Sequence, residues 1–89
     1  MESYFFNKEV IIDALYFRDQ TDLSGYPRHM VFDGQEVTFK DGLMRIIHKG
    51  SRIIRMFDMT DGQNQYEIAF EPENQAWKLR HVVMTGQVL

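Results

Sequence analysis

The fold is decided by residues 51–71, which read SRIIRMFDMTDGQNQYEIAFE. Two apolar runs flank the Asp-Gly pair at 61–62. Asp-Gly between hydrophobic runs is the strongest short-range signal for a β-hairpin, because both central residues of a type I′ turn need positive φ. A two-residue turn at this point predicts a single buried face that is shared by Ile53, Phe57, Tyr66, Ile68 and Phe70.

The register of this hairpin follows from its charged residues. The two-residue turn pairs Phe57 with Tyr66 and leaves Arg52 facing Glu71 on the outer surface. A register one residue out would turn Glu67 and Glu71 into the core, where an unpaired carboxylate is strongly unfavourable. We therefore predict that both glutamates lie on the outer face.

A second Asp-Gly pair, at 33–34, predicts a second hairpin. Its turn pairs Phe32 with Gln35 and Met30 with Val37. The residues that follow in this register place four apolar side chains on one face, namely Met30, Phe32, Val37 and Phe39. Since the opposite face is mostly polar, the pairing is self-consistent.

The third Asp-Gly pair, at 41–42, has different flanks. The apolar residues after it have helical i, i+3, i+4 spacing, at Leu43, Ile46 and Ile47. Asp41 can act as an N-cap and Gly50 as a C-terminal stop, which predicts a short helix over residues 42–49. The alternative is a third hairpin.

The two ends of the chain also predict strands. Residues 9–18 are mainly apolar and contain several β-branched and aromatic side chains, which favours a strand buried on both faces, although a buried helix has the same appearance. Residues 76–84 alternate, with Trp77, Leu79, His81 and Val83 on one side. The fold class is therefore mainly β: a small antiparallel meander of about six strands forming a curled sheet or partly open barrel, with one short helix. The strands are residues 9–18, 27–33, 35–40, 51–60, 65–71 and 76–84.

Length and composition exclude several classes of protein. The chain has 89 residues, which predicts one domain over residues 1–89. It has no cysteine, so disulfides, thiolate metal sites and a cysteine nucleophile are excluded. Its apolar runs are too short for a membrane span or a signal peptide, and we expect a cytoplasmic protein without a membrane partner.

Catalytic and metal-binding motifs do not emerge from the sequence. His29, His48 and His81 lie on different elements without the spacing of a metal site. The acidic residues around Gly62 lack the EF-hand pattern, and neither a phosphate-binding glycine loop nor a nucleophile elbow occurs. The sequence therefore predicts no enzyme activity, no catalytic residues, no metal and no cofactor.

The distribution of charge gives one functional alternative. A stretch without acidic residues carries the basic side chains Arg45, Lys49, Arg52 and Arg55, which could contact nucleic-acid phosphates. However, the formal net charge is −3 and the pI is about 5.5, whereas phosphate-binding domains are usually basic. Nucleic-acid binding is therefore the second hypothesis.

The supply of apolar residues gives the leading hypothesis. The strand over residues 51–60 is apolar on both faces, so Ile54 and Met56 need a cover that a single small sheet does not provide. We expect a non-enzymatic protein-binding or self-associating module, a homodimer that buries Ile54 and Met56. A further alternative is a small-ligand site inside an incompletely filled barrel, lined by Tyr66 or Trp77.

Overall fold

The computed structural model describes residues 2–17 and 25–84. These residues form one seven-stranded antiparallel sheet with the order β3-β2-β1-β7-β6-β5-β4. Its strands are β1 (Glu2–Tyr16), β2 (Tyr26–Phe32), β3 (Gln35–Thr38), β4 (Asp41–Lys49), β5 (Arg52–Thr60), β6 (Asn64–Glu71) and β7 (Ala76–Met84). The prediction of a mainly β antiparallel meander is confirmed.

The sheet is curled because its two edge strands are consecutive in the chain. β3 and β4 lie at opposite edges of the sheet, yet only residues 39–40 connect them. The Phe39 amide donates to the Arg28 carbonyl of β2 at 2.7 Å, and the Lys40 amide donates to the Thr60 carbonyl of β5 at 2.8 Å. The two edges are therefore brought close together, and the result is a barrel that stays open between β3 and β4.

The predicted helix over residues 42–49 is wrong, because this segment is β4. It pairs with β5 along its whole length, from Asp41 opposite Thr60 to Lys49 opposite Arg52. The third hairpin therefore exists, but it turns at Gly50 and not at the Asp-Gly pair. A helix of two turns is marginal by itself, whereas the β5 ladder gives this segment a partner for its backbone groups.

The hairpin between β5 and β6 has the predicted faces but a different register. Tyr66 lies opposite Met59, and Ile68 lies opposite Phe57, so the pairing is displaced by two residues from the predicted one. The cause is a longer loop, in which Asp61 Oδ1 accepts hydrogen bonds from the amides of Gln63 and Asn64 at 2.9 and 2.8 Å. A displacement of the pairing by an even number of residues leaves each side chain on its predicted face of the sheet, because side chains alternate between the two faces with period two.

The outer face of this hairpin also differs from the prediction. Arg52 pairs with Lys49 in the ladder and lies 3.8 Å from a carboxylate oxygen of Glu73, so it does not oppose Glu71. Glu71 is buried and lies 3.6 Å from the ammonium of Lys78. Ile53, which was predicted to lie in the core, is 50% exposed because the β4–β5 hairpin extends beyond the rest of the barrel.

β1 is a strand, as favoured by the sequence, but it is longer and one-sided. It begins at Glu2, and residue 18, the predicted end, lies outside the described residues. The prediction of burial on both faces is wrong: Val10 is in the core, whereas Ile11 is 63% exposed. The first half of β1 pairs with β7 and the second half with β2, with irregularities in the pairing that bend the strand.

The alternation predicted for residues 76–84 is broken by a bulge at Arg80. Leu79 lies opposite Ile68, but His81 already lies opposite Glu67, so β7 carries one extra residue here. Beyond the bulge Val82 faces the core and His81 is turned to the outer side, which corrects the predicted face of His81.

Two apolar clusters hold the sheet together. The main one fills the barrel with fully buried side chains, including Phe39, Phe57, Met30, Met59, Ile68 and Leu79. The smaller one lies on the outer face of β4, β5 and β6 and contains Ile54, Met56 and Ala69, with Ile47 against them. No helix in the described part of the chain could cross a membrane.

Candidate functional site

The residues that were predicted to need a partner are already covered. Ile54 is 6% exposed and Met56 is 7% exposed in the isolated chain, because they pack with Ala69 and Ile47 in the outer cluster. The expectation that these two side chains lack cover is therefore wrong. Ile54 and Met56 therefore offer little exposed area to a partner.

The four basic residues do not form one patch. Arg45 and Lys49 lie on the outer face with Arg52, whereas Arg55 is on the inner face, 5.9 Å above the ring of Phe70. Because neighbouring β5 residues point to opposite sides, a cluster in the sequence is divided by the sheet. This division weakens the nucleic-acid hypothesis, which needs a continuous basic surface.

The charge of Arg45 is compensated within the chain. Its guanidinium donates to Asp58 Oδ2 at 2.9 Å and to Glu67 Oε2 at 2.8 Å, from two neighbouring strands. The hydrogen bond to Asp58, together with the charges of both carboxylates, raises the pKa of Arg45 above its ordinary value. Arg45 is thus held against β5 and β6, and its positive charge is more than balanced by the two carboxylates.

The surface that sequence reasoning missed is the open edge of β4. β4 ends the sheet on one side, and its residues 43–48 pair only with β5 among the described strands. Leu43 and Ile46 are 66% and 54% exposed along this edge. A long, apolar edge strand is a template for pairing with another strand. The sequence-based prediction of a helix over residues 42–49 gave no indication of this edge, because the backbone groups of a helix bond within the helix and do not pair with another strand.

A cavity of about 200 Å³ lies inside the opposite end of the barrel, between the first half of β1, β2, β3, β6 and β7. Tyr66, one of the two predicted pocket residues, lines it. Trp77, the other one, does not line this cavity and packs against Phe57 and Phe70. The two aromatic residues are therefore separated by the core.

Tyr66 is fixed in the cavity wall by polar contacts. Its hydroxyl donates to Asp61 Oδ2 at 3.0 Å and accepts from Asn64 Nδ2 at 3.5 Å. Burial is the main cause that raises the pKa of Tyr66, so the phenol is neutral at physiological pH. Burial would raise the pKa of Asp61, but hydrogen bonds from the amides of Asn64 and Gln63 and from Tyr66 outweigh it and lower the pKa.

A serine–histidine pair was also missed by the sequence reasoning. Pairing of β1 with β7 brings Ser3 Oγ into hydrogen-bond contact with His81 Nε2, and the ring of Phe5 stacks on the imidazole at 4.2 Å. In a catalytic triad a third group orients the histidine through its other nitrogen, and no described residue hydrogen bonds to His81 Nδ1. No group of three potential metal ligands occurs in the described residues either.

His29 is held between two carboxylates from neighbouring strands. Its Nδ1 lies 2.6 Å from Asp13 Oδ1, and its Nε2 lies 3.1 Å from Glu36 Oε1. Both ring nitrogens can donate only in the imidazolium form. The hydrogen bond to Asp13, with the charges of both carboxylates, therefore raises the pKa of His29 above 6.5.

We expect this contact to make the stability depend on pH. Protonated His29 contributes to the free energy of unfolding. This contribution is complete below the unfolded-state pKa of about 6.5 and is lost as the pH rises through the higher folded-state pKa. Urea unfolding at about pH 6 and pH 8 should therefore show a decrease in stability that His29→Gln reduces. His48→Gln, at an exposed position, is the control. An equal pH dependence in wild type and His29→Gln would contradict this prediction.

Comparison with known proteins gives no further lead. No protein-family model, no curated protein and no solved structure matches the chain. The surfaces and the cavity that the sheet creates are therefore the basis for a functional assignment.

Proposed function

We propose that the protein is a self-associating binding module that adds a strand to the open edge of β4, and that this strand is β4 of a second copy. The observation that carries the proposal is the exposed apolar edge at Leu43 and Ile46. Strand addition at a sheet edge is a general mode of protein recognition, in which backbone hydrogen bonds provide affinity. This surface replaces Ile54 and Met56, which are already covered.

The backbone groups of alternate β4 residues point toward the open edge. Lys49 and Arg52 flank the two-residue turn at residues 50–51, and such flanking residues form a hydrogen-bonded pair. Hydrogen-bonded and non-hydrogen-bonded pairs then alternate along the ladder, so the amide and carbonyl groups of Met44 and Ile46 point away from β5. A second β4 strand can bond to these groups.

The sequence of β4 is complementary to itself in one antiparallel register. With Arg45 on a two-fold axis, Met44 lies opposite Ile46 of the second copy, and Leu43 lies opposite Ile47. At each end Asp41 lies opposite Lys49, so opposite charges meet whatever other contacts Asp41 makes. In this register the backbone amide and carbonyl groups of Met44 and Ile46 can bond to those of the second copy. The exposed side chains of Leu43 and Ile46 gain apolar neighbours from the second copy.

Two arginines on the axis would repel each other if their charges were uncompensated. Each Arg45 guanidinium is instead bound by Asp58 and Glu67 of its own chain, which draw it away from the axis. The like-charge contact is therefore relieved by carboxylates that are already in place. The register therefore does not bring two uncompensated positive charges together on the axis.

A cysteine on the axis tests this register, because the natural chain has no cysteine. Because Met44 and Ile46 form the hydrogen-bonded pairs of this register, the two Arg45 residues between them form a non-hydrogen-bonded pair. The Cα atoms of such a pair are about 4.5 Å apart, which is within the range of about 4.4–6.8 Å for a disulfide. We expect Arg45→Cys to form a covalent dimer on mild oxidation. Leu43→Cys is the matched control: it faces Ile47 and not itself, so it should remain mainly unlinked.

A proline at the edge tests self-association without a covalent link. Because the Ile46 amide points away from β5, Ile46→Pro should keep the β4–β5 ladder and block the second copy. Sedimentation equilibrium at about 100 μM should give a dimer for the wild type and a monomer for Ile46→Pro, with unchanged circular dichroism. A monomeric wild type, or equal cross-linking of the two cysteine variants, would refute the proposal.

A further inference from the structure

The cavity at the other end of the barrel has the features of a binding site, and it is independent of the β4 edge. Its volume is about 200 Å³, somewhat more than the roughly 150 Å³ apolar cavity that holds benzene in an engineered protein. The volume therefore suffices for a ligand about the size of one aromatic ring.

The walls of the cavity are apolar and aromatic. Fully buried Met30 and Leu79 form part of the lining, together with the buried side chain of Val82. Phe6 and Phe32 form another part, with their rings edge-to-face and the centroids 5.4 Å apart. Aromatic edges and a methionine sulfur are favourable neighbours for a further aromatic ring.

The polar groups of the lining are all uncharged. They belong to Tyr4, Gln35, Asn64 and Tyr66, and no acidic or basic side chain lines the cavity in the described part of the chain. An ion inside this cavity would lose part of its hydration without gaining a counter-charge from the lining, which is unfavourable. The lining therefore selects against charged ligands.

One hydrogen-bonding position in the wall is already oriented. Asn64 Nδ2 is directed to the Tyr66 hydroxyl, and the Asn64 backbone is fixed by bonds to Asp61 Oδ1 and from Thr60 Oγ1. No described residue donates to Asn64 Oδ1, which leaves this oxygen as an acceptor for a hydroxyl or amide N–H of a ligand. A polar group in a mainly apolar wall can fix the orientation of a ligand.

The cavity is also open to the solvent. Tyr4 and Met84 line it and are both exposed in part, and Gln35 is exposed beside them. A ligand can therefore enter without separation of the strands.

The geometry points to a site for a small neutral molecule with a single aromatic ring and one hydroxyl or amide group. This ligand class follows from the cavity volume, the aromatic walls, the uncharged lining and the acceptor at Asn64. The site goes beyond the proposed self-association, because neither Leu43 nor Ile46 lines the cavity.

The test uses 4-fluorobenzyl alcohol as the probe, followed by ¹⁹F NMR and by the methyl signals of Met30 and Leu79. We expect saturable binding with a Kd of about 1 mM or tighter, as suits a ligand of about nine non-hydrogen atoms. Benzoate and benzylammonium have similar rings but carry charges, so they should bind at least about tenfold more weakly.

A matched pair of variants locates the binding. Val82→Phe places a ring into the cavity and should weaken binding by about tenfold or more. Val83→Phe, one residue along on the opposite face of β7, should leave it unchanged. If Val82→Phe does not fold, Val37→Phe on edge strand β3 fills the same space. An absence of saturable binding, equal binding of the charged probes, or equal effects of the two β7 variants would overturn the inference.

The polar group of the site has its own test. Asn64→Leu removes the side-chain acceptor and retains the backbone bonds of the loop. The wild type should prefer 4-fluorobenzyl alcohol to 4-fluorotoluene, and Asn64→Leu should lose this preference. An unchanged preference would refute the role of Asn64.

Discussion

Replacing Phe57 with alanine is expected to lower the free energy of unfolding by about 3–5 kcal/mol. Phe57 is fully buried on β5, where it lies opposite Ile68. Its ring contacts Tyr26 of β2 edge-to-face at 5.4 Å and Trp77 of β7 at 5.5 Å. Because these contacts connect strands from both sides of the barrel, the neighbouring elements cannot collapse into the cavity without loss of packing.

Urea unfolding measures this effect, and the single tryptophan, Trp77, reports on it because its ring contacts Phe57. Phe5→Ala is the matched control: Phe5 is largely exposed, and its ring stacks on the imidazole of His81 on the outer face. We expect the control to cost less than about 1 kcal/mol. Equal losses for the two variants would show that Phe57 does not have the central position described above.

The faces of the strands were predictable because side chains alternate with period two. Placing Glu67 outside was enough to assign Tyr66 and Ile68 to the core, and the structure confirms both. The exact pairing was not predictable, because it depends on the length of the loop. Asp61 binds two backbone amides beyond it and lengthens the turn, and the Asp-Gly pair alone does not indicate this.

The nature of β4 was not predictable from its own residues. The spacing of Leu43, Ile46 and Ile47 fits a helix, and the capping signals at both ends agree with it. The deciding contribution is the ladder with β5, a tertiary interaction that local propensity does not contain. The candidate interaction edge was missed for the same reason.

The cavity and the charge pairs depend on which strands meet. Tyr66, which the sequence offered as a pocket residue, lines the cavity, because the inner face of a small barrel is the place where space can remain. The compensation of Arg45 by Asp58 and Glu67 needs the register of three strands. The bulge at Arg80, which exchanges the faces of His81 and Val82, leaves no signal in the sequence pattern.

Replacing Ile54 with aspartate is expected to lower the free energy of unfolding by about 4 kcal/mol or more. From the sequence, Ile54 was expected at a dimer surface, where a charge would separate two folded monomers. In the structure it is buried beside Met56 and Ala69. A carboxylate at this position would lose its hydration and would lie on the same face as Glu71, which is itself buried.

Ile53→Asp is the matched control, since it makes the same chemical change one residue away. Ile53 faces the other side of β5 and is half-exposed near the end of the hairpin, so the new carboxylate remains hydrated. We expect its unfolding midpoint in urea to differ little from the wild type, by about 1 kcal/mol or less. The sequence-based register predicts the opposite order, with Ile53 in the core and Ile54 at the surface. The two substitutions therefore decide between the arrangements: a folded, monomeric Ile54→Asp beside an unfolded Ile53→Asp would restore the dimer through Ile54 and refute the β5 faces described above.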